Sequence, residues 1–497
     1  MNRLSYLLAL FALLGLAGCS GMVTHGLPAE TIAALEPESR ACAHLLAATD
    51  SATARSHVAD AMHSRVPEYP YLRVNRLLAS YRKDALDRDQ FAEWTARMAD
   101  LARDGYAVEI ANLPSVERAV LDGMAGNGSL PGAVSGCIGR LLESDLAHEA
   151  RRRSVADAAS VPDDYADWKR AVGLYYLTRI PFAAGVRRNH QEMESLFQSP
   201  LETPDSQRLT YRPDQARLNR DQVRVLMQRS RSAALKIPDP AGADLDALFA
   251  TFAPVFEVDS DLPDDRIGAL AWSRAVPVVE PLQPVIYTHK SHVRVQGRAL
   301  LQLNYIAWFP SRPKRGAWDA LGGHLDGLTW RVTLDEEGKP LLFDSIHNCG
   351  CYHLFVATDR LRPRPDPSGW EESALITQTL DGVATGNRET LRIRSDSHYL
   401  YRVVMNDDGK SGGRIYALRP YTELRTLAQG NGASRSVFDE QGLIQGTERL
   451  ERYFFWPMGI AEPGAMRILG RHATAFIGRR HFDDSNVLER YFEIAEP

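Results

Sequence analysis

The sequence predicts an α+β protein with its two kinds of element segregated: an α-helical half, 19–254, then a β-rich, mainly antiparallel half, 255–497. Two observations carry this expectation. Up to about Pro254 the chain is dominated by Ala, Leu, Arg, Glu and Asp, and its apolar residues recur at helical spacing. From Val255 onward, β-branched and aromatic residues alternate with polar ones between clusters of turn residues. With 497 residues, 44% of them hydrophobic, the chain has apolar material for more than one core. Its net charge of -5 offers no basic field for nucleic acid.

Residues 1–18 stand apart. Arg3 supplies a positive head, Leu4 to Leu16 is an almost unbroken apolar run, and small residues precede Cys19. These are the parts of an export signal, and the run is shorter than the roughly 20 apolar residues a bilayer crossing needs. Leu16-Ala17-Gly18-Cys19 resembles the lipobox of bacterial lipoproteins. The resemblance implies removal of residues 1–18, acylation of Cys19 (palmitate among the chains) and anchorage in the cell envelope. Ser20 after the cysteine points, on the same family logic, to the outer membrane and the periplasm.

In the helical half, Gln90 to Tyr106 places Phe91, Trp94, Met98 and Leu101 on one face, with Asp84 and Asp87 to Asp89 offering capping oxygens. Leu141 to Ala156 reads as a charged surface helix. Asp163 to Thr178 carries Trp168, Val172, Tyr175 and Tyr176 at helical spacing, and Ala241 to Phe252 follows a Pro-Asp-Pro breaker. Ser199 to Asp214, with its prolines, reads as a loop. With Cys19 acylated, four cysteines remain, and proximity favours Cys42–Cys137 and Cys349–Cys351 as disulfides in an oxidising compartment. In the second half Val293–Val295, Leu301–Tyr305 and Trp330–Leu334 alternate as strands do. Asp335 to Lys339 is a turn, Pro340 to Ile346 the return strand, and His398–Met405 and Gly413–Leu418 are further strands.

The densest chemistry lies in Asp344-Ser345-Ile346-His347-Asn348-Cys349-Gly350-Cys351-Tyr352-His353. A straight strand would spread His347, Cys349, Cys351 and His353 over about 20 Å. A bend at Asn348 or Gly350 would let them converge on a transition metal, zinc first, with copper or iron as alternatives. The competing reading is a Cys349–Cys351 disulfide between two unrelated histidines. His324 and Asp326, in the loop Gly322 to Gly327, are placed to join the cluster. The expected metal ligands are therefore His324, His347, Cys349, Cys351 and His353, with Asp326 or Asp344 as base or orienting carboxylate. Near the C-terminus, Arg467, Arg471, Arg479 and Arg480 accompany His472, His481 and Asp483. Arg471 and Arg479 are the expected anchors for a carboxylate or phosphate substrate, against the plainer reading of a solvated basic edge. His289 and His292 read as surface-loop residues, and the many aromatic residues as packing. No His-Glu-x-x-His helix or phosphate-binding loop is present.

The expectation is an envelope-anchored, metal-dependent enzyme, a hydrolase ahead of an oxidoreductase, acting on a small molecule or an envelope polymer. A second version makes Cys349 or Cys351 a nucleophile activated by His324 or His353. A third is non-catalytic: a lipoprotein that binds a protein partner or scaffolds an envelope assembly.

Overall fold

The computed structural model describes residues 26–495 except 127, 201–207, 261, 365–370, 386, 407–411 and 431. The export segment and Cys19 lie outside the described residues. The fold is α+β, helical up to Phe252 and β-rich from Val255 onward.

Helix α1 (Pro37–Ser56), α2 (Arg88–Asn112) and α3 (Leu130–Asp145) form the core of the first part. Asp87 accepts from the backbone N–H groups of Asp89 and Gln90 while Gln90 accepts from that of Asp87, a capping box that starts α2. Trp94 and Met98 are buried on its expected inner face. Cys42 and Cys137 form a disulfide between α1 and α3. Three elements depart from the sequence reading. The expected Leu141–Ala156 helix breaks after Asp145 and resumes as Glu149–Ala158. A hairpin, Ser64–Val66 with Tyr69–Val74, lies within the helical part; all six residues of its second strand are buried, which erases the alternation that would reveal it. Arg208–Arg212, within the expected loop, is a strand.

The Asp163–Thr178 helix is also divided. A short helix, Asp167–Val172, gives way at Gly173 and Leu174, whose φ of 49° is left-handed, to helix α4 (Tyr175–Gln198). Of the four residues at helical spacing only Tyr175 is buried, while Trp168, Val172 and Tyr176 face outward.

The β-rich part is organised by a seven-stranded sheet. Its strands are β1 (Val285–Val295), β2 (Arg298–Arg312), β3 (Gly323–Leu334), β4 (Pro340–His347), β5 (Leu354–Thr358), β6 (Leu375–Leu380) and β7 (Ala417–Pro420). In space the order is β6-β5-β4-β3-β2-β1-β7. β1 to β5 form an antiparallel meander, whereas β6 and β7 add in parallel at the two edges. The β3–β4 turn is the expected one: Asp335 accepts from the N–H groups of Glu337 and Lys339, and Gly338 supplies φ 80°.

One face of this sheet, with Leu303, Tyr305, Trp330, Val332 and Phe343, packs on a five-stranded sheet through Phe256, Val258, Leu391 and Val403. Met193 and Phe197 of α4, and Leu226 and Leu248 of later helices, join the same core, so helices before Pro254 serve the β-rich part. The opposite face is different. It buries Gln302, Asn304, Thr329, Arg331 and Asp344, polar groups that water would otherwise solvate and that must find partners within the protein.

Candidate functional site

β4 ends at His347, and the chain then turns tightly. His347 N–H donates to Cys351 O at 2.9 Å and Gly350 N–H to His347 O at 2.7 Å. Gly350 has φ 95°, and a Cβ there would lie 3.1 Å from Ala473 O, so glycine serves both the turn and the close approach. Asn348 pins the turn to the sheet. Its Nδ2 donates to Ala307 O at 3.2 Å, its Oδ1 accepts from Thr329 Oγ1 at 2.8 Å, and its carbonyl accepts from the Arg467 backbone at 3.0 Å.

The bend falls where the sequence permits it, yet it separates the histidines. His347 Nδ1 stands 3.5 Å from Asp326 Oδ1, while His353 Nε2 bonds to Asp344 Oδ2 at 2.9 Å. His324 is spent elsewhere, on Pro277 O at 2.7 Å. Cys349 and Cys351 are side by side but not bridged; both are free thiols, Cys349 buried and Cys351 partly exposed. The hydrogen bond from Cys351, and then the charge of Arg449, outweigh burial and hold the Cys349 thiol below the usual range, whereas that bond and burial push Cys351 well above it. Among the described residues, no group of three or more His, Cys, Asp or Glu side chains is placed to hold a metal ion. The histidines expected as ligands for zinc, copper or iron are each directed to a different partner.

Around Asp326 the partners close on one another. His398 Nδ1 meets its Oδ2 at 2.8 Å, Arg449 donates to its Oδ1 at 3.2 Å, and His398 Nε2 lies 3.5 Å from Asp265. Phe309 stacks on the His398 ring with centroids 3.9 Å apart. Burial opposes charge here, but Arg449, His347 and His398 hold Asp326 well below the carboxylate range. Burial likewise opposes protonation of His398, and its two aspartates override it and raise its pKa.

Asp344 has a different outlet. Arg331 grips it through two hydrogen bonds, sends another to Phe482 O at 2.7 Å, and lies 3.6 Å from the centre of the Phe482 ring. On its other side Asp344 holds His353, whose Nδ1 is buried without a hydrogen-bond partner. Burial lowers His353 to about 4 despite Asp344, so the ring is neutral at neutral pH.

His353 lines a cavity of about 480 Å³ together with Cys351, Glu451 and His190. Phe182, Phe455 and Phe476 supply much of its apolar wall. Cys351 Sγ lies 3.6 Å from Glu451 Oε1, and burial raises the Glu451 pKa. A second cavity, about 290 Å³, opens on the other side of Arg331 and includes His63, His289 and His292. His289 and His292 thus belong to β1 and to a cavity wall, not to a surface loop. The Arg331–Asp344–His353 chain runs from one cavity to the other.

The arginines expected to hold substrate are matched to carboxylates. Arg471 Nε lies 2.9 Å from Asp164 Oδ1, and Arg479 pairs with Asp163 and Asp167. Arg480 is buried against Glu372. His398, Arg449, Glu451 and His190 were not identified from sequence. They come from segments far apart in the chain, and no local spacing links them to the Cys349–Cys351 turn.

Comparison of the chain with protein-family models, with curated proteins and with solved structures finds no match. The functional reading therefore rests on geometry.

Proposed function

We propose that the protein is an envelope lipoprotein with thiol hydrolase or acyltransferase activity, in which Cys351 is the nucleophile, His353 its general base and Asp344 the carboxylate that orients the base. One observation carries the reading. His353 is fixed at Nε2 by Asp344, and its Nδ1 is left buried and unpartnered in a residue that shares a cavity wall with a reduced, partly exposed thiol. Nucleophilic catalysis by a thiol needs a carboxylate–imidazole pair within reach of it, and the contact between base and nucleophile is often looser before substrate binds. The lipobox resemblance and the Cys42–Cys137 disulfide support the envelope assignment.

In this reading the Cys351 thiol turns from Glu451 towards His353. Nδ1 takes the S–H proton as sulfur attacks the carbonyl carbon of an ester, thioester or amide. The bond to the leaving group breaks, the imidazolium returns the proton to that group, and a thioester to Cys351 forms. Water, giving its proton to the same nitrogen, then attacks the thioester; the S–C bond breaks, the acid leaves and the thiol is restored. The neutral state of His353 suits it to accept a proton, and the aromatic wall suits an apolar acyl group. Cys349, buried and absent from the cavity lining, is the neighbour of the nucleophile and not the nucleophile.

The test uses the reduced full-length protein and p-nitrophenyl esters of graded acyl length. Cys351→Ser and His353→Gln are expected to lower turnover by roughly 10³-fold. An acyl mass added to the Cys351 peptide should be trapped before deacylation. Turnover by Cys351→Ser at the parental rate, or acylation confined to another residue, overturns the assignment.

A further inference from the structure

Helix α4, which supplies Phe182 to this cavity, is preceded and begun by an exposed apolar segment that also carries basic residues. Trp168, Val172, Leu174, Tyr176, Leu177 and Ile180 are 62–78% exposed, along the short helix Asp167–Val172 and the first turns of α4. Tyr453 and Phe454, next in sequence to the cavity-lining Phe455, are 60% and 59% exposed. The segments that carry the two groups meet at the cavity. Phe182 of α4 packs on Phe455 with ring centroids 5.8 Å apart, and both residues line the cavity. Isolated exposed apolar residues are ordinary on a protein surface, but a contiguous group of this kind marks a docking face.

Charge identifies what it docks on. Between Trp168 and His190 the chain carries five basic residues and no acidic one. Arg170 is used internally, donating to Met458 O and Gly478 O. Arg187 and Arg188 are exposed, while Lys169 and Arg179 lie over the Trp168 and Tyr176 rings at 5.9 and 5.6 Å. Exposed Trp, Tyr, Leu and Ile beside Lys and Arg are the composition of a helix lying in a membrane interface, where rings and aliphatic groups enter the acyl boundary and cations meet headgroups. No helix among the described residues is long and apolar enough to cross a membrane. A surface that lies on the bilayer is therefore the fitting geometry.

We propose that this face rests on an anionic lipid bilayer, so that the cavity opens onto the membrane. Trp168, Leu177 and Ile180 enter the acyl boundary, and Arg187 and Arg188 contact headgroup phosphates. The proposal does not require Cys351 to be a nucleophile.

The test uses the full chain on phosphatidylcholine vesicles with or without phosphatidylglycerol, each carrying a trace of photoactivatable phosphatidylcholine. After photolysis, peptides spanning 168–188 and 451–455 are expected to carry label, more with phosphatidylglycerol than without. Leu177→Glu combined with Ile180→Glu should remove label from these peptides. Arg187→Glu with Arg188→Glu should reduce it about tenfold on anionic vesicles. All four positions are solvent-facing, and an unchanged circular dichroism spectrum with an intact Cys42–Cys137 bond shows that the variants fold. Cys351→Ser should label like the parent, which keeps failure of the thiol reading distinct from failure of this one. Label confined to other peptides, labelling unchanged in the glutamate variants, or cross-links joining this face to a second copy of the chain each overturn the proposal.

Discussion

Asp326 and Asp344 are both fully buried, and each meets a histidine at 2.8–2.9 Å and an arginine at close range. They differ in where the imidazole ends. His398 is enclosed: Asp326 takes one nitrogen, Asp265 faces the other, and Phe309 covers the ring. Burial opposes its protonation, and Asp265 and Asp326 outweigh burial and raise its pKa. His353 gives one nitrogen to Asp344 and keeps the other, and it stays neutral beside a cavity. The same residue types thus make an internal ion network in one place and an oriented base in the other. The deciding quantity is whether the second ring nitrogen lies beside a carboxylate, as in His398, or belongs to a residue on a cavity wall, as in His353.

The largest expected effect tests the closed network. Asp326→Asn removes the charge that His398 and Arg449 were buried against, and loss of one partner from a buried ion network costs about 3–5 kcal/mol. Urea midpoints should register this, whereas His353→Gln, which leaves the Arg331–Asp344 pair intact, should cost about 1–3 kcal/mol. If Asp326→Asn keeps its stability and loses esterase turnover, the roles of the two carboxylates are reversed.

Much of the fold was legible because it depends on local periodicity. The helix-to-strand change near Val255, the α2 cap at Asp87 and the Asp335–Gly338 turn each rest on neighbouring residues. The Cys42–Cys137 bond was legible by proximity, which equally favoured a Cys349–Cys351 bond that is not formed. The bend at Asn348–Gly350 was also foreseeable, since Gly350 reaches φ 95°. Its consequence was not, because the partners of His347 and His353 sit on β3 and β4 and are delivered by strand register. Trp168, Val172 and Tyr176 show a second limit. Helical spacing reveals that a helix has an apolar side, but not whether protein or something outside the chain covers it.

A third carboxylate–imidazole cluster sharpens the comparison at an intermediate size. His481 is enclosed by Asp163 at 3.3 Å, Asp164 at 3.6 Å and Asp484 at 3.5 Å; burial lowers its pKa, and Asp163 and Asp484 overcome burial to raise it to about 9. Its folded pKa lies above the unfolded value of 6.5, so its stabilisation is complete below about 6.5 and is lost as pH rises through about 9. His481→Gln should cost up to about 3 kcal/mol on the acid side of that window. Parent and variant midpoints should converge above it. A gap of constant size across the window would mean that packing, and not charge, is what His481 contributes.

The smallest effect concerns Glu451, whose Oε1 lies 3.6 Å from the Cys351 sulfur. A carboxylate there disfavours the thiolate, and its charge is one cause of the raised Cys351 pKa, after the Cys349 bond and burial. Glu451→Gln keeps the shape and removes the charge. If His353 is the base, iodoacetamide should alkylate Cys351 a few-fold faster in this variant, a size set by strong screening between neighbouring groups at an effective dielectric of about 20. If Glu451 is itself the base, the same substitution slows alkylation and turnover together. His353 would then be a second internally satisfied histidine despite its open nitrogen, and the contrast between Asp344 and Asp326 would no longer separate chemistry from structure.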